Sequence, residues 1–163
     1  MKNLWMNLGT LTPELKNPID IIRTQSDYLS DGTNGLLCIS DSEVRRLGPQ
    51  AKMALEKQKL KAVFMYRIEI ASDYLPEYSY EFMTLAYDIT FYPLVVTIPK
   101  EIVNDIEREP EFDFFYESEF RKYYNVKNQD EFERILEAVF NCEKIRLIMQ
   151  NMKAIIGDIE LED

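Results

Sequence analysis

One stretch of the chain, residues 62–98, restricts its fold more than any other, because most residues in it are β-branched, aromatic or large and apolar. Such residues suit the pleated, half-buried surface of a β-sheet. Phe64, Tyr66, Ile68 and Ile70 share one face of a strand, while residues of mixed polarity share the other. This alternation predicts a strand with one covered face.

Further strands are predicted on either side of this one. Residues 78–88 carry apolar side chains at odd and even positions alike, which predicts a central strand with something packed on each face. Pro93 lacks an N–H and therefore marks a strand start, a bulge or an edge. We interpret Leu94–Ile98 as the last strand of the sheet and the short apolar run Gly35–Ile39 as the first.

Helical patterns flank the predicted sheet. Asn17 before Pro18 is typical of a helix start, and Gly32 suits the position after the last turn. Near the C-terminus, Asn128 and Glu131 form a capping-box pattern. It precedes an apolar stripe at helical spacing, formed by Phe132, Ile135, Leu136, Val139 and Phe140.

A second helical stripe begins at Ile145 and is predicted to end at Gly157. Residues 42–61 fit a short strand, a surface helix or a loop, and the pattern does not choose among them. Residues 1–10 and 158–163 are predicted to fray. The fold class expected is α+β: one domain over residues 1–163, with an antiparallel sheet of four or five strands and the N- and C-terminal helices packed on one face.

The charge and the absence of histidine exclude several functions. The net charge is −10, and residues 101–163 hold 17 acids against 8 bases. A negative field of this size repels phosphates, so we expect no direct nucleic-acid binding and no membrane association. Without histidine the chain has no Ser-His-Asp triad, no Cys-His dyad and no histidine metal site.

The two cysteines, Cys38 and Cys142, each lie in an apolar run. Two buried thiols in a cytoplasmic protein are favoured over a single disulfide. The first nine residues lack the continuous apolar region of a signal peptide, which also favours the cytoplasm.

Three stretches together resemble a family of small bacterial proteins of unknown function. They are Asn17–Gln25 with Thr33–Leu37, then Tyr66–Ile68 with Tyr78–Tyr80 and Tyr92–Val95, and finally Glu131–Phe132 leading to Phe140–Lys144. The resemblance covers about half of the chain. It implies an N-terminal helix, an antiparallel sheet and a closing amphipathic helix, together with a bacterial or phage origin. None of these motifs is catalytic, so it implies no activity.

The segment 101–125 differs from the rest because acids and aromatics alternate in it without a clean period. A short helix is predicted at its start, ending before Pro110. Aromatic side chains anchor protein interfaces, and acids around them steer a basic partner. The candidate partner-binding residues are Phe112, Phe114, Phe115, Tyr116, Glu117, Glu119, Tyr123 and Tyr124. The alternative is that these rings extend the core while the acids face water.

The sequence thus favours a small acidic, non-enzymatic interaction protein that binds and modulates a basic protein partner, as immunity proteins and inhibitors do. A homodimer is an accompanying alternative. No cofactor, no metal and no catalytic residue is predicted. The alternative function is a carboxylate-dependent hydrolase, with or without magnesium, in which Glu107, Glu109, Glu111 and Asp113 form the densest group of acids.

Overall fold

A single antiparallel sheet of six strands organises the computed structural model, which describes residues 1–61, 64–106 and 112–162 and the side chains up to residue 159. The strands are β1 (Cys38–Glu43), β2 (Phe64–Ala71), β3 (Ser79–Tyr87), β4 (Leu94–Pro99), β5 (Asp113–Glu117) and β6 (Arg121–Val126). Their order across the sheet is β1-β2-β3-β4-β6-β5. The α+β class is therefore confirmed, but the sheet has six strands where four or five were predicted. Leu94–Ile98 does not close it, because β5 and β6 follow.

Four helices cover one face of this sheet and one helix covers part of the other. The first four are α1 (Pro18–Gly32), α3 (Lys100–Ile106), α4 (Gln129–Phe140) and α5 (Glu143–Glu162), and together with the sheet they enclose the main core. The short helix α2 (Pro49–Lys57) lies on the opposite face, where Ala54 and Leu55 pack against Ala86 and Val95. The N- and C-terminal helices thus share one face, as predicted, and residues 42–61 contain the end of β1 and the surface helix α2.

The first helix is fixed at its N-terminus and near its middle by polar contacts. The Asn17 side chain accepts the Ile19 backbone N–H at its N-terminus, and it also accepts the Tyr87 hydroxyl from the central strand β3. Halfway along α1, the Ser26 hydroxyl accepts the Ile39 N–H and donates to the Ile39 carbonyl, each at 2.9 Å. These bonds satisfy backbone groups of both elements and set the position of α1 over the sheet.

The last helix continues past the predicted stop at Gly157 and reaches Glu162. A glycine ends a helix when it takes a left-handed conformation, and Gly157 instead keeps a helical backbone. The apolar stripe of α5 continues through it, since Met152 and Ile156 are buried in the main core. Packing therefore overrides the local preference, and residues 158–162, predicted to fray, lie within the helix.

Replacing Gly157 with alanine is expected to raise the free energy of unfolding by about 0.5–1 kcal/mol, because glycine in a helix interior costs that much relative to alanine. A Cβ at this position meets no heavy atom within 4 Å, so the substitution introduces no clash. Urea denaturation of the two proteins checks the difference. A loss of stability would show that Gly157 adopts a non-helical conformation in solution.

Candidate protein-binding edge

The predicted partner-binding segment forms the edge of the sheet. Strand β5 pairs with β6, and β6 pairs with β4, so that β5 is the terminal strand of the described sheet. An edge strand presents a row of backbone N–H and C=O groups on its outer side, which suits pairing with another chain. The segment therefore supplies backbone hydrogen-bonding groups as well as aromatic and acidic side chains.

A β-bulge explains why the segment shows no clean period. Phe114 lies opposite Tyr124 and Tyr116 lies opposite Tyr123, which leaves Phe115 as one extra residue on β5. As a result, Phe114 contacts the ring of Tyr124, on the side of the main core. Phe115 and Tyr116 both contact Tyr123, on the side of α2. A bulge shifts the alternation by one residue, so neither a strand nor a helix period fits the sequence.

Tyr123 and Tyr124 are core residues, which corrects their assignment as partner-binding residues. Each is 5% exposed, and as neighbours on β6 they point to opposite faces of the sheet. Tyr124 belongs to the main core beneath the four helices, while Tyr123 belongs to the smaller core beneath α2. Each of the two rings is enclosed in a core, so Tyr123 and Tyr124 stabilise the fold and are not available to a partner.

Three of the other predicted rings are partly covered by the protein itself. Phe112 is half-buried against Tyr124, with ring centroids 6.4 Å apart. Phe115 is half-buried against Tyr123. Tyr116 donates a 2.6 Å hydrogen bond from its hydroxyl to Gln50 of α2. These rings close the ends of the two cores, and they present only their outer edges to solvent.

Phe114, Glu117 and Glu119 are the predicted residues that remain exposed. Phe114 is 46% exposed, and the Lys122 ammonium lies 5.0 Å from its ring centroid. The Glu117 carboxylate forms a 3.6 Å ion pair with Lys100, with its side chain 52% exposed. Glu119 is exposed in the turn between β5 and β6. We call Asp113, Phe114, Glu117 and Glu119, together with the outer backbone of β5, the β5 edge.

Phe120 is a solvent-facing aromatic that the sequence interpretation missed. It is 71% exposed in the β5–β6 turn and borders a cavity of about 280 Å³ on the α2 side of the sheet. A predicted hairpin turn at Ser118–Phe120 would have placed Phe120 in solvent. The sequence does not show this hairpin, because the bulge removes the strand period of β5. The exposed aromatic surface therefore extends one residue beyond the predicted acid Glu119.

The cavity beneath α2 contains an ion-pair network rather than a pair of catalytic acids. Glu81 forms ion pairs with Arg67 Nε at 3.2 Å and with Arg121 at 2.7 Å, and both arginines line this cavity together with Arg46. The network contains one carboxylate between two guanidinium groups, whereas glycoside hydrolysis uses two carboxyl groups. This arrangement stabilises the open part of the sheet face and does not resemble a glycosidase site.

The described part of the chain contains no cluster of acids that would support the alternative of a hydrolase. Within that part, no group of three or more carboxylate or thiol side chains lies close enough together to hold a metal ion. Of the acids proposed for it, Glu107, Glu109 and Glu111 lie outside the described residues, and Asp113 is an exposed residue of β5. No observation on the described residues favours hydrolysis.

Both cysteines are free thiols in the structure, which agrees with the prediction that favoured thiols over a disulfide. Burial raises the pKa of the Cys142 thiol, and partial burial raises the pKa of the Cys38 thiol. A raised pKa keeps the sulfur protonated near neutral pH, and the thiol is a much weaker nucleophile than the thiolate. Cys142 therefore acts as a small apolar core residue, while Cys38 is half-buried on β1 and its thiol donates to the Ala71 carbonyl.

Comparison with family models, with curated proteins and with solved structures finds no match to this chain. Among the described helices, none combines the length and the apolar content needed to cross a bilayer.

Proposed function

We propose that the protein is a non-enzymatic interaction domain that binds an extended, basic segment of a partner protein along the β5 edge. The observation that supports this most directly is the position of β5, a terminal strand flanked by exposed carboxylates and carrying an exposed phenylalanine. Strand addition of this kind draws its affinity from backbone hydrogen bonds and its specificity from side chains at alternate positions. Immunity proteins and inhibitors belong to this physical class.

The charge near β5 selects for a basic partner. Residues 112–120, which form β5 and the turn after it, contain three acids, Asp113, Glu117 and Glu119, and no base. Complementary charge speeds association and excludes partners of like charge, although each exposed ion pair adds little affinity of its own. Acidic segments of a partner, and nucleic acid, are repelled by the same field. The expected ligand therefore carries lysine or arginine at alternate positions of an extended segment.

The bulge at Phe115 adds a geometric requirement. A bulge twists and bends the strand that carries it, and natural proteins use bulges to prevent indiscriminate pairing at sheet edges. A flat strand therefore pairs with only part of β5. A partner segment that bends at the same point, or that ends there, pairs along its whole length and places an apolar side chain on Phe114.

A titration with a synthetic peptide tests the proposal. The probe is a nine-residue peptide in which lysine alternates with valine and threonine, added to the isotope-labelled protein and followed by amide chemical shifts. We expect the largest shifts on β5 and on the turn that follows it. Combining Glu117→Lys with Glu119→Lys is expected to weaken binding about tenfold, since each reversal replaces an attraction with a repulsion.

The matched control is the pair Asp73→Lys and Glu77→Lys, which makes the same charge change in the exposed β2–β3 turn. The proposal requires the control to bind the peptide as the original chain does. An equal loss in both double variants would mean that the peptide responds to net charge alone. Shifts concentrated away from β5 would mean that the edge is not the binding surface.

We also propose a bacterial or phage origin and a cytoplasmic location. Two free thiols, one of them buried, are typical of a reducing compartment. The origin rests on the family resemblance described above.

A further inference from the structure

The first sixteen residues form an arm that is exposed along its whole length. Trp5, the single tryptophan of the chain, is 75% exposed. The other large apolar side chains of the arm are also exposed: Met1, Leu4, Met6, Leu8, Leu11 and Leu15. Exposed apolar side chains in such number are typical of an interaction surface rather than of a solvated tail.

An apolar groove separates α1 from α4 and α5. It consists of two adjoining cavities of about 270 and 320 Å³, which share Gln25 and Phe140 as lining residues. The deeper part of the first cavity is lined by core residues such as Ile39 and Ile70. The second cavity is bordered by Glu133 and Glu137, two exposed acids one helical turn apart on α4. The groove therefore has an apolar floor and a negatively charged rim.

We propose that this groove receives the arm of a second copy of the chain, and that two copies exchange arms reciprocally. The chemistry of the two surfaces is complementary. Residues 1–13 are predominantly apolar and contain one charged side chain, the cation Lys2, while the groove offers apolar walls and two carboxylates. Docking places Trp5 in the apolar part of the groove and Lys2 near the acidic rim.

The way the arm joins the domain favours a second copy over the chain's own groove. Asn17 is fixed by its bonds to Ile19 and Tyr87, and Pro13–Lys16 line a cavity together with Ile89–Phe91. The groove begins on α1 at Ile21 and Gln25, which lie about 6 and 12 Å from Asn17 at 1.5 Å per residue. None of the sixteen arm residues is among those that line the groove, and the arm is exposed along its whole length, so the two surfaces of one copy do not meet in the structure.

The size of such an interface agrees with that of a specific dimer. Each copy contributes the first twelve residues of its arm, since residues 13–16 line a cavity of its own domain, and the thirteen residues that line its groove. Specific interfaces use about 20–30 residues on each side. A reciprocal exchange also closes with two-fold symmetry, in which each copy uses the same two surfaces and no further copy is recruited.

Trp5 provides a direct readout, because no other tryptophan contributes to the fluorescence. The experiment measures sedimentation equilibrium and tryptophan emission of the full chain over a range of concentrations. We expect a monomer–dimer equilibrium, with the emission moving to shorter wavelength in step with the dimer fraction. Trp5→Ser in the arm, and Glu133→Lys with Glu137→Lys at the groove, are each expected to raise the dimer dissociation constant at least tenfold.

Mixing the two variants separates the arm from the groove. The Trp5→Ser chain has an intact groove and no tryptophan, and the rim variant has an intact arm, so mixing restores one of the two arm–groove contacts. The emission of the rim variant is expected to shift to shorter wavelength when the Trp5→Ser chain is added. Asp73→Lys with Glu77→Lys serves as the charge-matched control and leaves dimerisation unchanged.

Three outcomes overturn the proposal. A monomer whose emission already lies at short wavelength at every concentration means that the arm occupies its own groove. A monomer with solvent-exposed emission means that the arm binds no part of this chain. A dimer that is insensitive to Trp5→Ser means that the copies associate through another surface.

Discussion

Replacing Tyr124 with alanine is expected to lower the free energy of unfolding by about 3–5 kcal/mol, the range measured for aromatic-to-alanine changes in protein cores. Tyr124 is 5% exposed and lies in the main core, with the rings of Phe112 and Phe114 at 6.4 and 6.2 Å. Its loss removes the buried ring, leaves a cavity and deprives two neighbouring rings of their contact. Urea denaturation with a two-state fit measures the change.

Phe114→Ala is the matched control, because Phe114 is the exposed member of the same ring contact. At 46% exposed, it already has much of its surface in water, so its removal is expected to cost about 1 kcal/mol. Comparing the two losses in the free energy of unfolding shows whether Tyr124 is a core residue and Phe114 a surface residue. Equal losses would contradict the burial of Tyr124, and a loss near zero at Tyr124 would restore it as a candidate partner-binding residue.

The partial burial of Phe115 restricts the substitutions that can test binding at the β5 edge. Phe115 is half-buried against Tyr123, so a change that removes Phe114 and Phe115 together alters stability as well as binding. Charge reversal at Glu117 and Glu119 avoids this difficulty, because both side chains are exposed and neither contributes to the core. A loss of binding in that variant therefore reports on the edge surface itself.

The elements with a regular period were predictable from the sequence. Strand β2 alternates from Phe64 to Ile70, and its partner β3 is buried at Phe82, Met83 and Leu85–Tyr87, on both faces as a central strand requires. Helix α4 carries its stripe on one face and begins at Asn128, whose side chain accepts the Glu131 N–H at 2.9 Å, while Glu131 accepts the Lys127 N–H. In these elements the local preference and the packing agree.

The elements that were missed are those in which local pattern and packing disagree. In β5 the bulge at Phe115 shifts the face on which each side chain lies, so the strand period disappears from the sequence. In β6 the neighbours Tyr123 and Tyr124 are both buried, one on each face, so no polar alternation remains to be recognised. In α5 the burial of Ile156 carries the helix through Gly157.

The sequence indicated an acidic and aromatic segment at 112–124, but it did not predict where that segment lies in the fold. The structure forms it into the edge strand β5, the turn after it and the start of β6. Which rings face water depends on the pairing of β5 with β6 and on the cover given by α2, and both are long-range contacts. The groove between α1 and α4 escaped the sequence interpretation for the same reason, since its two walls are separated by about one hundred residues of chain.

Raising the pH from 8 to 11 is expected to lower the free energy of unfolding by about 3 kcal/mol through Tyr87 and Tyr123, beyond the effects of lysine deprotonation and of thiol ionisation at Cys38 and Cys142. Burial raises the pKa of Tyr87 and of Tyr123, which are 0% and 5% exposed, so these phenols stay neutral in the folded chain. In the unfolded chain they ionise near pH 10. The stability they contribute is therefore complete below pH 10 and is lost as the pH rises toward the folded-state pKa.

Burial also raises the pKa of Tyr92 to about 12, and that of Tyr80 is raised by burial and by its hydrogen bond to Glu101. Both residues are half-buried, so solvent screening reduces their share of the loss. Urea denaturation at pH 8, 9, 10 and 11 measures the slope, and absorbance at the phenolate band shows whether ionisation accompanies unfolding. Ionisation before unfolding would contradict the raised pKa values.

Two single substitutions separate burial from hydrogen bonding in this effect. Tyr87→Phe removes a phenol that bonds Asn17 at the α1 N-terminus, so it is expected to cost about 1 kcal/mol at pH 7 while reducing the loss at pH 11. Tyr92→Phe removes a buried hydroxyl that has no hydrogen-bond partner among the described residues, and such a group costs about 1–3 kcal/mol when left unsatisfied. Tyr92→Phe is therefore expected to stabilise the chain at pH 7 and again at pH 11. A loss of stability in both variants at pH 7 would mean that the Tyr92 hydroxyl has a hydrogen-bond partner in solution. If neither variant changed the loss of stability between pH 8 and 11, the groups that titrate would be other residues.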